Sequence, residues 1–175
     1  MNTDTHNDER RAFVQSAVER HQASLLRYTT RLLHGDVDRA QDVVQDAFVR
    51  LWAQEPGGVA DHLAEWLFTV CRNRALDYLR KEGRMKFFAP GQAERLTAAE
   101  PRPGSGFERA EAHAAVLRLL EHLPPNQQEV VRLKFQNGFS YKEISRITSL
   151  SVTNVGFILH TAIARLRKEM AAQPE

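Results

Sequence analysis

Arg72, Asn73, Arg74, Tyr78, Arg80, Lys81 and Arg84 crowd the segment EWLFTVCRNRALDYLRKEGRMK from its eighth residue onward. Cations hold phosphates, an amide hydrogen-bonds base edges, and an aromatic ring stacks on bases, so this set suits a nucleic-acid strand. A charged, solvated helix face uses the same residue types, and the segment alone fits both readings. Upstream, in DVDRAQDVVQDAFVRLW, Asp42, Gln45, Asp46 and Val49 fall on one helical face, opposite Val43, Val44, Ala47, Phe48 and Leu51. Taken alone, that outer face is a solvated acidic stripe.

The third set lies near the C-terminus, in SYKEISRITSLSVTNVGFILHTAIARLRK. The pattern is helix, short turn, helix. Ile144 and Ile147 on the first helix, with Val152, Val155, Leu159, Ala162 and Leu166 on the second, form an apolar seam across a tight corner. Lys142 and Arg146 precede the corner, and Arg165, Arg167 and Lys168 follow it. That distribution suits a DNA-binding helix-turn-helix; an ordinary helical hairpin in an α-bundle shares the seam. From Val152 to Ala164 there is no Lys, Arg, Asp or Glu.

Covalent chemistry is not indicated. Cys71 is the only cysteine, with no His–acid partnership around it, and it reads as a small core residue rather than a nucleophile. The His residues are scattered, with no metal-ligand spacing and no phosphate-binding glycine loop. The expectation is a protein that is not an enzyme and has no metal and no cofactor. A lone cysteine excludes an internal disulfide and fits a reducing cytoplasm. No apolar run approaches a membrane span, and MNTDTHNDERR lacks the apolar stretch of a signal peptide. Net charge is only +2, so a nucleic-acid partner must be argued from local patches.

Helical periodicity dominates, and the fold class expected is all-α. One helix is predicted from about Arg10 to Leu33, with Phe13, Ala17, Leu25 and Tyr28 apolar, and HGD (His34 to Asp36) breaks it. A second covers about Val37 to Trp52. QEPGGVAD (Gln54 to Asp61) reads as a loop, and a third helix follows from about His62 to Arg84. Residues 89–106 are dense in Pro and Gly and read as a flexible linker. Helix returns after Phe107. Pro125 sits near a helix start, Ser140 with Glu143 makes a capping box, and Ser151 can cap the last helix. Two small helical domains result, residues 8–88 and 107–172, joined by a tether.

These pieces, in this order, resemble a bacterial sigma factor of the extracytoplasmic-function (ECF) group of the sigma-70 family, from about Phe13 to Glu169. DVVQDAFVRLW is similar to the region-2 helix that docks on the clamp helices of RNA polymerase. EWLFTVCRNRALDYLRKEGR is similar to the segment that melts and reads the −10 element. LPPNQQEVVRLKFQNGFSYKEIS resembles the start of region 4, and the helix-turn-helix after it resembles the −35 reader. The resemblance implies core-polymerase contact by Asp42, Gln45, Asp46 and Val49, whose acidic, partly apolar stripe suits a basic coiled coil. It implies −10 contact by Arg72, Asn73, Arg74, Tyr78, Arg80, Lys81 and Arg84. Asn73 would line the pocket for a flipped-out base, and Pro56 to Leu63 would form the base-capturing loop.

For the −35 element it implies Lys142, Arg146, Thr153, Asn154, Phe157, Thr161, Arg165 and Arg167. One departure stands out. Where the family usually carries exposed Lys or Arg, this chain has Gly156, Ile158, Thr161 and Ile163. Thr153 and Asn154 can still reach base edges, and Phe157 a thymine methyl. The alternative is an apolar patch of Phe157, Ile158 and Ile163 that meets a protein, such as an anti-sigma factor or the polymerase flap. Core RNA polymerase, promoter DNA and an anti-sigma factor are thus the partners to test, with a cytoplasmic location. A stand-alone helix-turn-helix regulator is the rival reading.

Overall fold

A computed structural model describes residues 2–83 and 117–171, and every described element is helical. Contacts divide the chain into two compact units, the first built on residues 1–83.

In the first unit, α1 (Asn2–Leu32), α2 (Val37–Trp52) and α4 (Leu63–Lys81) pack against one another, with the short α3 (Pro56–Val59) between α2 and α4. Leu25, Val43, Leu51, Leu67, Phe68 and Leu79 fill the core, and the Tyr28 and Phe68 rings lie 5.0 Å apart. α1 starts at Asn2 rather than near Arg10, because residues 2–9 contain neither Pro nor Gly to stop the helix. It ends where expected: His34 and Gly35 turn left-handed (φ 57° and 91°), and the Gly35 N–H donates to the Thr30 carbonyl at 2.8 Å. Asp36 then caps α2, its Oδ1 accepting from the Arg39 N–H at 3.0 Å.

The segment expected as a loop, Gln54 to Asp61, contains the helical turn α3 and leads into a 3-10 turn, Ala60–His62. Pro56 at the first helical position explains this, since its fixed φ starts a helix as readily as it ends one. Buried Val59 anchors the turn to the core. α4 stops at Lys81, three residues before the expected end, and Gly83 (φ 70°) closes it. Arg84 and the tether at 89–106 lie outside the described residues.

In the second unit, residues 117–121 are helical, followed by α5 (Pro125–Phe135), α6 (Tyr141–Thr148) and α7 (Val152–Ala171). The chain turns by 105° between α6 and α7, within the range of a helix-turn-helix. Caps set the start of both helices. Ser140 and Glu143 form the capping box, with bonds of 3.2 and 2.7 Å, and Ser151 Oγ accepts from the Asn154 N–H at 3.1 Å. Ser149 takes the left-handed conformation (φ 60°), and Ser145 Oγ donates to the Leu150 carbonyl at 2.6 Å. Leu123, Val130, Leu133, Ile144, Ile147, Val155 and Leu159 form this unit's core.

Two details of the seam differ from expectation. Val152 is exposed, because it opens the first turn of α7 beyond the corner, and Ile158 takes an inward place, only 6% exposed. Among the described residues, no single helix is long and apolar enough to cross a membrane.

Candidate functional site

α2 presents Asp42, Gln45 and Val49 outward, with Val49 63% exposed. Val49 is thus a large aliphatic side chain left in water on a polar stripe. Beside it runs a groove of about 610 Å³ between α1 and α2, lined by Val14, Val18, Leu26, Val44, Phe48 and Trp52. Gln45 and Val49 stand on its edge. Phe48 is therefore only half-buried, not a full core member. Sequence reasoning missed this groove; its signal was a second apolar stripe on α1, Val14, Val18 and Leu26, offset from the core stripe of Ala17, Leu25 and Tyr28.

Asp46 differs from its neighbours on α2. Its Oδ2 lies 3.1 Å from Arg74 Nε on α4, so an expected polymerase contact and an expected DNA contact are paired with each other. The Arg74 guanidinium sits 5.2 Å from the Tyr78 ring centre, and that of Arg39 5.9 Å from the same ring. Arg39 also pairs with Asp36 (3.3 Å) and with Glu82; the hydrogen bond to Glu82 is the largest cause of its raised pKa. These contacts lock the N-terminal end of α2 to the C-terminal end of α4. Arg80 donates to Asp77 at 2.7 Å, while Asn73 and Lys81 are exposed on α4. Arg72 is half-buried.

The segment Pro56 to Leu63 is fixed from below by Val59 and from the side by Glu55, whose Oε1 accepts from Arg10 Nη2 at 2.7 Å. Gly57 and Gly58 are exposed, with open space where a Cβ would stand. Cys71 is fully buried. Burial pushes its pKa up to about 12, against the opposing effect of a hydrogen bond with Thr29, so the thiol stays protonated and inert.

On α7 the outward residues are Thr153, Asn154, Phe157, His160, Ala164 and Arg165, with Phe157 68% exposed. Thr161 and Ile163 are half-buried. The apolar patch proposed for a protein partner thus loses Ile158 to the core and keeps only Phe157 fully outside. Gly156 lies beneath the Tyr141 ring, where a Cβ would meet Cε2 at 3.6 Å, and Lys134 Nζ stands 5.4 Å from that ring's centre. Lys142 and Arg146 ride on α6, and Arg165 and Arg167 on the last turns of α7, all exposed.

Residues 17–85 match the family model of sigma-70 region 2, and residues 113–166 that of sigma-70 region 4. The chain is 30% identical over 164 residues to ECF RNA polymerase sigma factor SigL of Mycobacterium tuberculosis, covering 89% of this chain and 88% of that one. It is 28% identical over 140 residues to SigM of Bacillus subtilis, covering 75% and 80%. It is 27% identical over 155 residues to SigE of Mycolicibacterium smegmatis, covering 88% of this chain but only 60% of that protein. With both sigma-70 regions in order on an all-helical frame, the chain belongs to the ECF sigma factors of the sigma-70 family.

Proposed function

We propose that this chain is a promoter-specificity subunit. It binds core RNA polymerase through α2 and the α1–α2 groove, opens and reads the −10 element with α4 and the Pro56–Leu63 segment, and contacts the −35 element with α6 and α7. It acts in the cytoplasm, where that polymerase is. The observation that carries the reading is the pairing of two surfaces on one small bundle. An exposed, mixed acidic and apolar stripe lies on α2, and an exposed Asn73 among cations lies on α4. A stand-alone helix-turn-helix regulator would have no use for either.

The two domains at 8–88 and 107–172 would then engage one promoter through two modules, raising the effective concentration of each. Extruding a −10 base costs a few kcal/mol, which Asn73, the Pro56–Leu63 pocket and polymerase binding together offset. An anti-sigma protein that filled the α1–α2 groove would compete directly with polymerase.

Run-off transcription with core polymerase tests the reading: absence of any promoter-specific product across a randomised promoter library would sink it. Asn73→Ala is expected to impair promoter opening, read by permanganate footprinting, while leaving holoenzyme assembly intact. Equal losses in both would remove Asn73 from the base pocket.

A further inference from the structure

We infer that His160 is a specificity-determining residue of α7, reading a G·C pair adjacent to a T·A pair met by Phe157. The inference rests on the reading of α7 as the −35 helix and adds to it a residue and a base step.

The residues of α7 sort cleanly by exposure. Val155, Ile158, Leu159 and Ala162 are buried, and Thr161 is half-buried beside that seam. Thr153, Phe157, His160 and Ala164 recur at steps of four, three and four on the opposite side, and all are exposed. His160, not Thr161, therefore occupies the outward place one turn beyond Phe157. Among the described residues, His160 has no hydrogen-bond or ionic partner, so its ring nitrogens are available to a ligand.

Charge placement says what that ligand is. No Lys or Arg stands between Val152 and Ala164, so this stretch has no cation to hold phosphate. The cations are at the margins: Lys142 on α6, and Arg165 and Arg167 beyond the stripe. Phosphates are then held at the edges, and the stripe between them faces base edges.

Phe157 has no polar side-chain atom, and the major-groove feature it can distinguish is the thymine methyl. A neutral imidazole offers one N–H donor at one ring nitrogen and one acceptor at the other. Guanine places two acceptors, N7 and O6, side by side in the major groove for that donor, whereas adenine sets an amino donor beside its N7, thymine a methyl beside its O4, and cytosine presents only an amino donor. Phe157 and His160 are separated by about 4.5 Å along the helix axis. Base pairs follow one another at about 3.4 Å. In a helix lying in the major groove, the two side chains would meet neighbouring pairs.

The test is transcription by reconstituted holoenzyme from a library randomised only across the −35 region. The wild-type chain is expected to prefer T next to G. His160→Ala should flatten the G preference by about five- to tenfold and leave the T preference in place. His160→Asn should turn the preference at that position from G to A, because an amide matches adenine N6 and N7. Holoenzyme assembly, followed by native gel, controls for folding, and the switch produced by the Asn variant cannot arise from misfolding. An unchanged preference pattern in both variants overturns the inference. If Lys142→Ala and Arg165→Ala still weaken −35-dependent transcription in that case, only His160 is wrongly placed. If randomising the −35 region and removing those cations both change nothing, α7 does not read DNA, and the inference falls with that reading.

Discussion

On α4 the cations are largely occupied by the chain itself, while on α7 the outward face holds no cation until Arg165. Arg74 is engaged by Asp46 and stacked on Tyr78, and Arg80 by Asp77. A carboxylate at Nε orients the Arg74 guanidinium and offsets part of its charge while leaving its other N–H groups for a phosphate. The pair is half-exposed, so losing it costs only about 0–1 kcal/mol; on the proposed function, whatever binds Asp46 would change the charge that Arg74 offers DNA. The α7 face has no pair to break and little charge to screen. On the proposed function, one surface would supply affinity that a partner can adjust, and the other discrimination between bases.

The sharpest way to break this contrast is Asp46→Arg. It removes the partner of Arg74 and sets a second guanidinium beside it, on the edge of the stripe proposed to face polymerase. Holoenzyme assembly should weaken by at least about tenfold against a basic coiled coil, with helical circular dichroism unchanged. Full-strength assembly would take Asp46 out of the polymerase contact and leave it as a brace for α4.

Gly156→Arg works on the other side of the comparison. The site has room, since a Cβ there makes only ordinary contact with Tyr141. A cation at this place should raise affinity for −35 duplex and steepen the log–log salt dependence by about 0.9, one added phosphate. An unchanged slope would mean that α7 already lies away from the backbone, or away from DNA.

Ser140→Ala tests how much the cap that starts α6 contributes. Loss of the capping box should cost about 1 kcal/mol of stability, read from urea unfolding. The smallest effect is expected at half-buried His21 on α1. Burial, then the nearby charge of Arg20, lowers its pKa in the folded chain. The unfolded chain binds that proton more readily, so the stability contributed by the neutral ring is present above about pH 6.5 and is lost as pH falls through the folded value. His21→Gln should flatten the difference in stability between pH 7.5 and 5.5.

Much of the frame was legible in the sequence because it depends on local rules. The α2 limits follow from Asp36 and from periodicity, the Ser140 and Ser151 caps from their side chains, and the inward Ile144, Ile147, Val155 and Leu159 from spacing. The surfaces were less legible because they depend on which helix lies alongside. No spacing within α2 shows that Asp46 faces Arg74, nor that Phe48 borders a groove completed by α1. On α7, resemblance pointed to Thr161 and to an exposed Ile158. Rotation of the helix about its buried seam puts His160 outside and Ile158 inside.

The burial of Cys71 has a practical side. With the only sulfhydryl of the chain sealed in the core and its pKa near 12, alkylating reagents at neutral pH find no target in the folded protein. A fluorophore or spin label attached to a cysteine introduced at an exposed position would therefore report from that position alone. The natural sequence is already a scaffold for distance measurements as polymerase and promoter engage, with no background thiol to remove first.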